Sequence, residues 1–195
     1  AIPHGEGLEL IHRLDKATSG CLMVAKKRSY LRLAQDALRH RGQIQKSYFA
    51  VVHGRWPRNM RQIDAPLLTK SPSGKERVTI IDERGKESLT RFECIAANES
   101  LSLIKASPVT GRTHQIRVHA RWARHPIVGD DRYGDKTLDQ HVCGQGNKPR
   151  LMLHACQLVI PALGEQPGLD ISAPLEISMK QFILENFGEL AGIEL

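Results

Sequence analysis

Two stretches of the chain carry residue types that could do chemistry. In "LELIHRLDKATSG" (8–20) the carboxylate of Asp15 stands two residues after Arg13 and just before a Thr18-Ser19-Gly20 turn. In "SPVTGRTHQIRVHARWARH" (107–125) Arg117 lies between Ile116 and Val118. Those apolar neighbours draw the arginine stem inward, where a guanidinium needs an anionic partner. Asp15 could supply it. A carboxylate working as nucleophile or base must be ionised at neutral pH; burial disfavours that charge and a close guanidinium favours it. The plain alternatives are a solvated Asp15, an Arg13 paired with a neighbouring acid such as Glu9, and a solvated basic ridge of Arg117, Arg121 and Arg124 at helical i, i+4 and i+7 positions. The Thr-Ser-Gly turn reads as structural, fixing the chain after Asp15.

Other suggestive patterns fail on inspection. "HRLDKATSG" places its Asp one residue away from the kinase catalytic loop pattern, and neither a glycine-rich phosphate loop nor D-F-G follows. "GDD" (129–131) lacks the further acidic partner and chain length of a polymerase metal site and reads as a turn. His114, His119, His154 and Cys156 lack zinc-site spacing with a matching second pair, and read as structural groups. The cysteines Cys21, Cys94, Cys143 and Cys156 form no C-x-x-C pair, so neither a zinc site nor a disulfide framework is expected.

Composition narrows the partner. The 195 residues suffice for one domain or two small lobes around a cleft. Lys plus Arg number 28 against 21 Asp plus Glu, a net charge of +7 with a pI near 9.4. A polyanion, nucleic acid first, is the partner such a balance favours, beside the simpler reading of a basic soluble protein. No window approaches the ~20 apolar residues of a membrane span, and "AIPHGEGLEL" lacks signal-peptide features, so a cytoplasmic location without membrane partners is expected.

The elements that would hold the two stretches alternate between strands and helices. Strands are expected at 21–27, 46–54, 87–97, 101–109, 151–160 and 168–174, with 87–97 and 101–109 as a hairpin around "NES". Helices are expected at 29–42 with Ser29 as N-cap and a basic-glycine stop at Arg39–Gly42, at 113–125 capped by Thr113, and at 176–188 with Ile177, Phe182, Ile183 and Phe187 inward. Residues 55–77, rich in proline and basic residues, read as a long loop or a pair of irregular strands, and 129–150 as loop. This gives an α+β protein with a mixed, mostly antiparallel sheet flanked by few helices.

The first stretch resembles the His-Arg-Leu-Asp-x-x-Thr-Ser-Gly signature of the RluA-type pseudouridine synthases, and "GRTHQIRVH" (111–119) is similar to their second diagnostic motif. "QKSYFAVVHG" (45–54), "HPIVGDDRYGD" (125–135) and "LMLHACQLVIP" (151–161) resemble further family blocks, so the likeness spans nearly the whole chain. "DDRYGD" is similar to the RluC-like members, which modify large-subunit ribosomal RNA. The resemblance implies a pseudouridine synthase fold with a central RNA-binding cleft, acting as a monomer, with RNA as partner and without cofactor or metal. It implies Asp15 as the catalytic carboxylate, Arg117 as its ion-pair partner, and Tyr48 as the residue that stacks on the target base and takes part in proton transfer. Arg13 would fill the space of the displaced nucleotide, Ile116 would line the pocket, and Arg112, His114 and Arg121 would contact substrate. From the residues alone, Tyr48 reads as a packing residue of a strand with its hydroxyl hydrogen-bonded. A noncatalytic RNA-binding module of the same fold, or a synthase acting on transfer RNA, stays open as an alternative.

The family usually has a longer stretch before the His-Arg-Leu-Asp motif than "EGLELI". A skipped segment is therefore expected near Gly7 and Leu8, with residues 1–195 forming the catalytic domain and any S4-like domain lying outside this chain.

Overall fold

Strand formers concentrated in "KSYFAVVH", "LTRFECIAA" and "LSLIKASP" build the centre of the molecule. The structure, a computed structural model, describes residues 7–40, 43–70, 77–147 and 149–190. The chain runs β1 (Glu9–Leu10), β2 (Ser19–Gly20), β3 (Val24–Ala25), α1 (Arg28–Arg39), β4 (Gln45–His53), β5 (Gln62–Asp64), β6 (Leu67–Lys70) and β7 (Val78–Ile81). It continues through β8 (Leu89–Ala97), β9 (Leu101–Pro108), α2 (Gln115–Trp122), α3 (Lys136–Cys143), β10 (Leu153–Ile160), β11 (Leu169–Ser172) and α4 (Ile177–Phe187). The principal sheet has the order β11-β10-β4-β9-β8-β5, all antiparallel, and β2 adds to β10 as a parallel segment. Two small antiparallel pairs, β1 with β3 and β6 with β7, complete the α+β arrangement that the sequence predicts.

Burial explains why β4 and β9 are central. Val51, Val52, Leu103 and Ile104 are wholly buried, so these strands are covered on both faces and read as apolar runs rather than alternations. Met179 and Ile183 of α4, Ile116 and Ala120 of α2, and Trp56 pack into the same core. A second core joins Ala37 of α1 and Leu158 of β10 to Ile44, Cys21 and Met23. Each fully buried Leu, Ile or Met contributes about 2 kcal/mol. Among the described residues no helix is long and apolar enough to cross a membrane.

Several expectations need correction. The strand expected at 21–27 shrinks to Val24–Ala25, because Cys21 instead donates its N–H to the carbonyl of Ala155 and Met23 follows toward His12. Helix α1 starts after Lys27 without a side-chain cap, so Ser29 is already inside it; Arg41 and Gly42 of the expected stop lie outside the described residues. Residues 55–77 form the irregular strands β5 and β6, with 71–76 outside the described residues, and β7 was not anticipated. Helix α2 has His114 rather than Thr113 at its N-cap position and no side-chain cap; the left-handed φ of 55° at His114 breaks the chain direction, and the helix ends at Trp122. Helix α3 occupies part of the expected 129–150 loop. It buries no side chain and shows no apolar period; its signals are Asp135, which accepts from the N–H groups of Thr137 and Leu138, and Gly144 at its end. In α4 Phe182, Ile183 and Phe187 pack against the core as expected, but Met179 is buried where Ile177 was expected, Ile177 is exposed, and Glu176 caps the helix. Residues 1–6, the start of "AIPHGEGLEL", lie outside the described residues.

The parallel contact of β2 with β10 is the step that brings Asp15 home. Gly20 has φ near +108°, and a Cβ there would collide with the backbone of Ala155. Only glycine allows that approach. Gly20→Ala should lower the unfolding free energy by about 2 kcal/mol or more, read as an earlier urea midpoint with unchanged slope.

Candidate active site

The short β2 segment and the turn before it set Asp15. Thr18 donates its N–H to the Asp15 carbonyl at 2.9 Å, and Ser19 Oγ sits 2.8 Å from His154 Nδ1. Arg150 reaches the same turn, donating to Ser19 Oγ at 2.8 Å and to the Ala17 carbonyl at 3.3 Å, and pairs with Glu176 at 2.7 Å. The Thr-Ser-Gly turn is thus tied to β10 and to the start of α4 by its own polar groups.

The left-handed His114 starts α2 so that Arg117 turns inward. Its Nη1 donates to Asp15 Oδ2 at 3.1 Å. Its Nε and Nη2 grip both oxygens of Asp130 at 2.8 and 2.7 Å, a bidentate pair with the carboxylate wholly buried. Asp130 also accepts from the N–H groups of Arg132 and Tyr133, both at 3.0 Å. Burial disfavours the Asp130 charge, but the hydrogen bonds and charge of Arg117 outweigh it and hold the carboxyl below the usual range. Burial works against Arg117 as well, and the two carboxylates nevertheless raise it above an ordinary guanidinium.

Asp15 and Arg117 open onto a cleft of about 490 Å³ lined also by Arg13, Tyr48, Lys46, Arg112, His114 and Ile116. The sequence-predicted residues therefore converge, with one exception. Arg121 is exposed one turn further along α2 and does not line the cleft. The expected three-arginine ridge also breaks down: Arg117 is buried, and Arg124 lies beyond the helix at φ 65°. Arg13 is exposed at the cleft, and Glu9 pairs with Arg28 at 3.2 Å rather than with Arg13. Arg112 donates its Nε to the Glu87 carbonyl.

Tyr48 is flanked across the sheet by Ala106 on β9 and Ala155 on β10, so small neighbours leave ground beside its ring. Burial, reinforced by Asp15, pushes its hydroxyl up to about 12, so it keeps its proton at neutral pH and serves as a ring and O–H donor rather than as a base. His114 is held below the ordinary histidine value, first by burial and then by Arg117, against the opposing charge of Asp15. Burial likewise lowers Lys46. His119 and His154 have both ring nitrogens engaged within the protein, His119 with Thr90 and Ala65 and His154 with Ser19 and Ala173.

Sequence reasoning missed Asp130 and Tyr133. The Tyr133 hydroxyl lies 2.8 Å from His114 Nδ1, and the Arg117 guanidinium sits 5.2 Å from the centre of its ring. The turn reading of "GDD" holds, since Asp130 organises that turn, but it is incomplete. The available signal was an acid one glycine after the apolar run Pro126-Ile127-Val128, the counterpart of an arginine set among apolar neighbours.

The family model for RNA pseudouridylate synthase matches residues 2–122, more than half of the chain. The chain belongs to this family. Among curated relatives of this synthase family, ribosomal large subunit pseudouridine synthase C of Pasteurella multocida is 48% identical over 183 residues, covering 93% of the chain and 55% of the relative. The protein so named from Escherichia coli is 44% identical over 180 residues, covering 92% and 56%. The chain thus spans about half the length of these relatives. Of solved structures, human RNA pseudouridylate synthase domain containing 1 superposes with a TM-score of 0.73 at 28% identity, covering 90% of the chain and 73% of the other. Human RNA pseudouridylate synthase domain containing 4 gives 0.73 at 26%, covering 90% and 74%.

Replacing Asp130 by Asn should cost about 3 kcal/mol at pH 7, because it strips a buried charge of its main partner. Since the Asp130 carboxyl is depressed in the fold, its contribution is present above the unfolded value near 4 and lost as pH falls through the folded one. Urea unfolding at pH 7 and at pH 3 should show the gap between wild type and variant narrowing at the lower pH.

Proposed function

We propose that this chain is the catalytic domain of a pseudouridine synthase that isomerises uridines in large-subunit ribosomal RNA. The carrying observation is Asp15 at the cleft, one oxygen held by an arginine that a second, buried carboxylate locks in place. The family and the names of the relatives support the reaction and the substrate.

In this reading a uridine leaves its stack, which costs a few kcal/mol, and the exposed Arg13 fills the gap while the Tyr48 ring receives the base. Asp15 is the reacting carboxylate and Arg117 its counter-ion. Ile116 lines the apolar side of the pocket, and Arg112 and His114 contact the nucleotide. Arg121, outside the cleft, meets phosphates further along the strand, and these basic contacts weaken as salt rises. The proposed chemistry runs on side chains alone, without metal or cofactor, in a monomer in the cytoplasm.

Unmodified large-subunit ribosomal RNA incubated with the protein should acquire pseudouridine at defined positions on chemical mapping. Asp15→Asn should cut the single-turnover rate by ~10³-fold or more while leaving RNA affinity nearly unchanged. Modification of transfer RNA alone would move the substrate, and activity surviving the substitution would remove Asp15 from the chemistry.

A further inference from the structure

Tyr133 has no part in the proposed chemistry, yet three residues, Thr79, His114 and Arg117, converge on its side chain. Its hydroxyl accepts the backbone N–H of Thr79 on β7 at 3.0 Å and lies 2.8 Å from Nδ1 of His114. Its ring meets the His114 ring edge-on, with centroids 5.4 Å apart, and lies beside the Arg117 guanidinium. A phenol has one hydrogen to give. With Thr79 donating to the oxygen, the partner for that hydrogen among the described residues is His114 Nδ1. A ring nitrogen that accepts is unprotonated, so the proton of the neutral imidazole resides on Nε2. That nitrogen is the one turned toward Asp15, at 3.8 Å from Oδ1.

We propose that Tyr133 is a positioning residue that fixes His114 as the Nε2–H form, making His114 the donor to Asp15 Oδ1 while Arg117 holds Oδ2. The inference rests on Asp15 being the reacting carboxylate. Separate donors on the two oxygens orient the carboxylate in its plane, which the single Arg117 hydrogen bond does not. The 3.8 Å separation is longer than a hydrogen bond and closes when substrate fills the cleft, as catalytic contacts commonly tighten on binding. No proton needs to move in this step: the imidazole stays neutral and donates a hydrogen bond only. The charged groups around His114 are Asp15 and Arg13 on the motif loop, Arg117 on α2 and Asp130 beside Tyr133. Burial and Arg117 keep it neutral near pH 7, in keeping with this role.

The closing experiment combines a spectroscopic and a kinetic readout. In protein carrying ¹⁵N-labelled histidine, two-bond ¹H–¹⁵N spectra at pH 7 should show His114 protonated on Nε2 with Nδ1 bare, and Tyr133→Phe should shift the Nδ1 resonance. This readout needs no RNA. In single-turnover assays on ribosomal RNA, Tyr133→Phe should lower the maximal rate about tenfold with RNA affinity near wild type, since the ring beside Arg117 is kept, while the unfolding midpoint falls because the buried N–H of Thr79 loses its acceptor. His114→Asn, which tolerates the left-handed backbone but carries no donor at the Nε2 position, should lose at least as much. A proton on Nδ1 in the wild type, a spectrum untouched by Tyr133→Phe, or full rates in both variants alongside an inactive Asp15→Asn would overturn the proposal. An inactive wild type would instead count against the synthase reading itself, and the tautomer spectrum would still decide the role of Tyr133.

Discussion

A single guanidinium shared between two carboxylates organises this molecule's cleft. Arg117 turns Nε and Nη2 to Asp130 and offers Nη1 to Asp15, in a direction that the planar fork dictates. A lysine in its place would bring charge without direction. The requirement propagates outward: Asp130 must be buried and held by the N–H groups of Arg132 and Tyr133, and its carbonyl accepts from Gly134, where a Cβ would collide with that same carbonyl. On the other side Asp15 must be delivered by a turn whose polar groups end on Arg150 and His154.

Much of this was legible in sequence, and the reasons differ residue by residue. The β8–β9 hairpin was readable because strand formers flank a short polar turn in which the Asn98 side chain accepts from Ser100 and Leu101. Arg117 was readable because Ile116 and Val118 betray an inward course. Helix α3 was not, because only Val142 and Cys143 at its end reach the core and polar contacts hold its middle: Asp139 bonds His53 at 2.8 Å and the N–H of Gly129 at 3.1 Å. The inference of a basic ridge failed because it assumed helix through Arg124, whereas the helix ends at Trp122. Tyr133 escaped because its partners, Thr79 and His114, are distant in the chain, and a lone tyrosine in a polar loop gives no local clue.

The cleft combines a fixed charge pattern with little bulk where a planar ligand would lie. Tyr48 carries its neutral hydroxyl between two alanines of neighbouring strands, while Lys46, on the same strand, and His114 are both biased by burial toward their uncharged forms. Arginines add fixed positive charge, Arg13 at the opening and Arg112 and Arg117 deeper in, because a guanidinium stays protonated throughout the physiological range.

The pairing of β2 with β10 also bears on when the site comes into being. Asp15 is synthesised ahead of its partners: its counter-ion is made 102 residues later, and the strand that seats its turn, at His154 and Ala155, later still. Contacts of such separation form only after the intervening chain has closed up, the slow kind of event in folding. A nascent chain therefore carries the carboxylate without the pocket, and the cleft can close around Asp15 only once the chain has been made through Ala155.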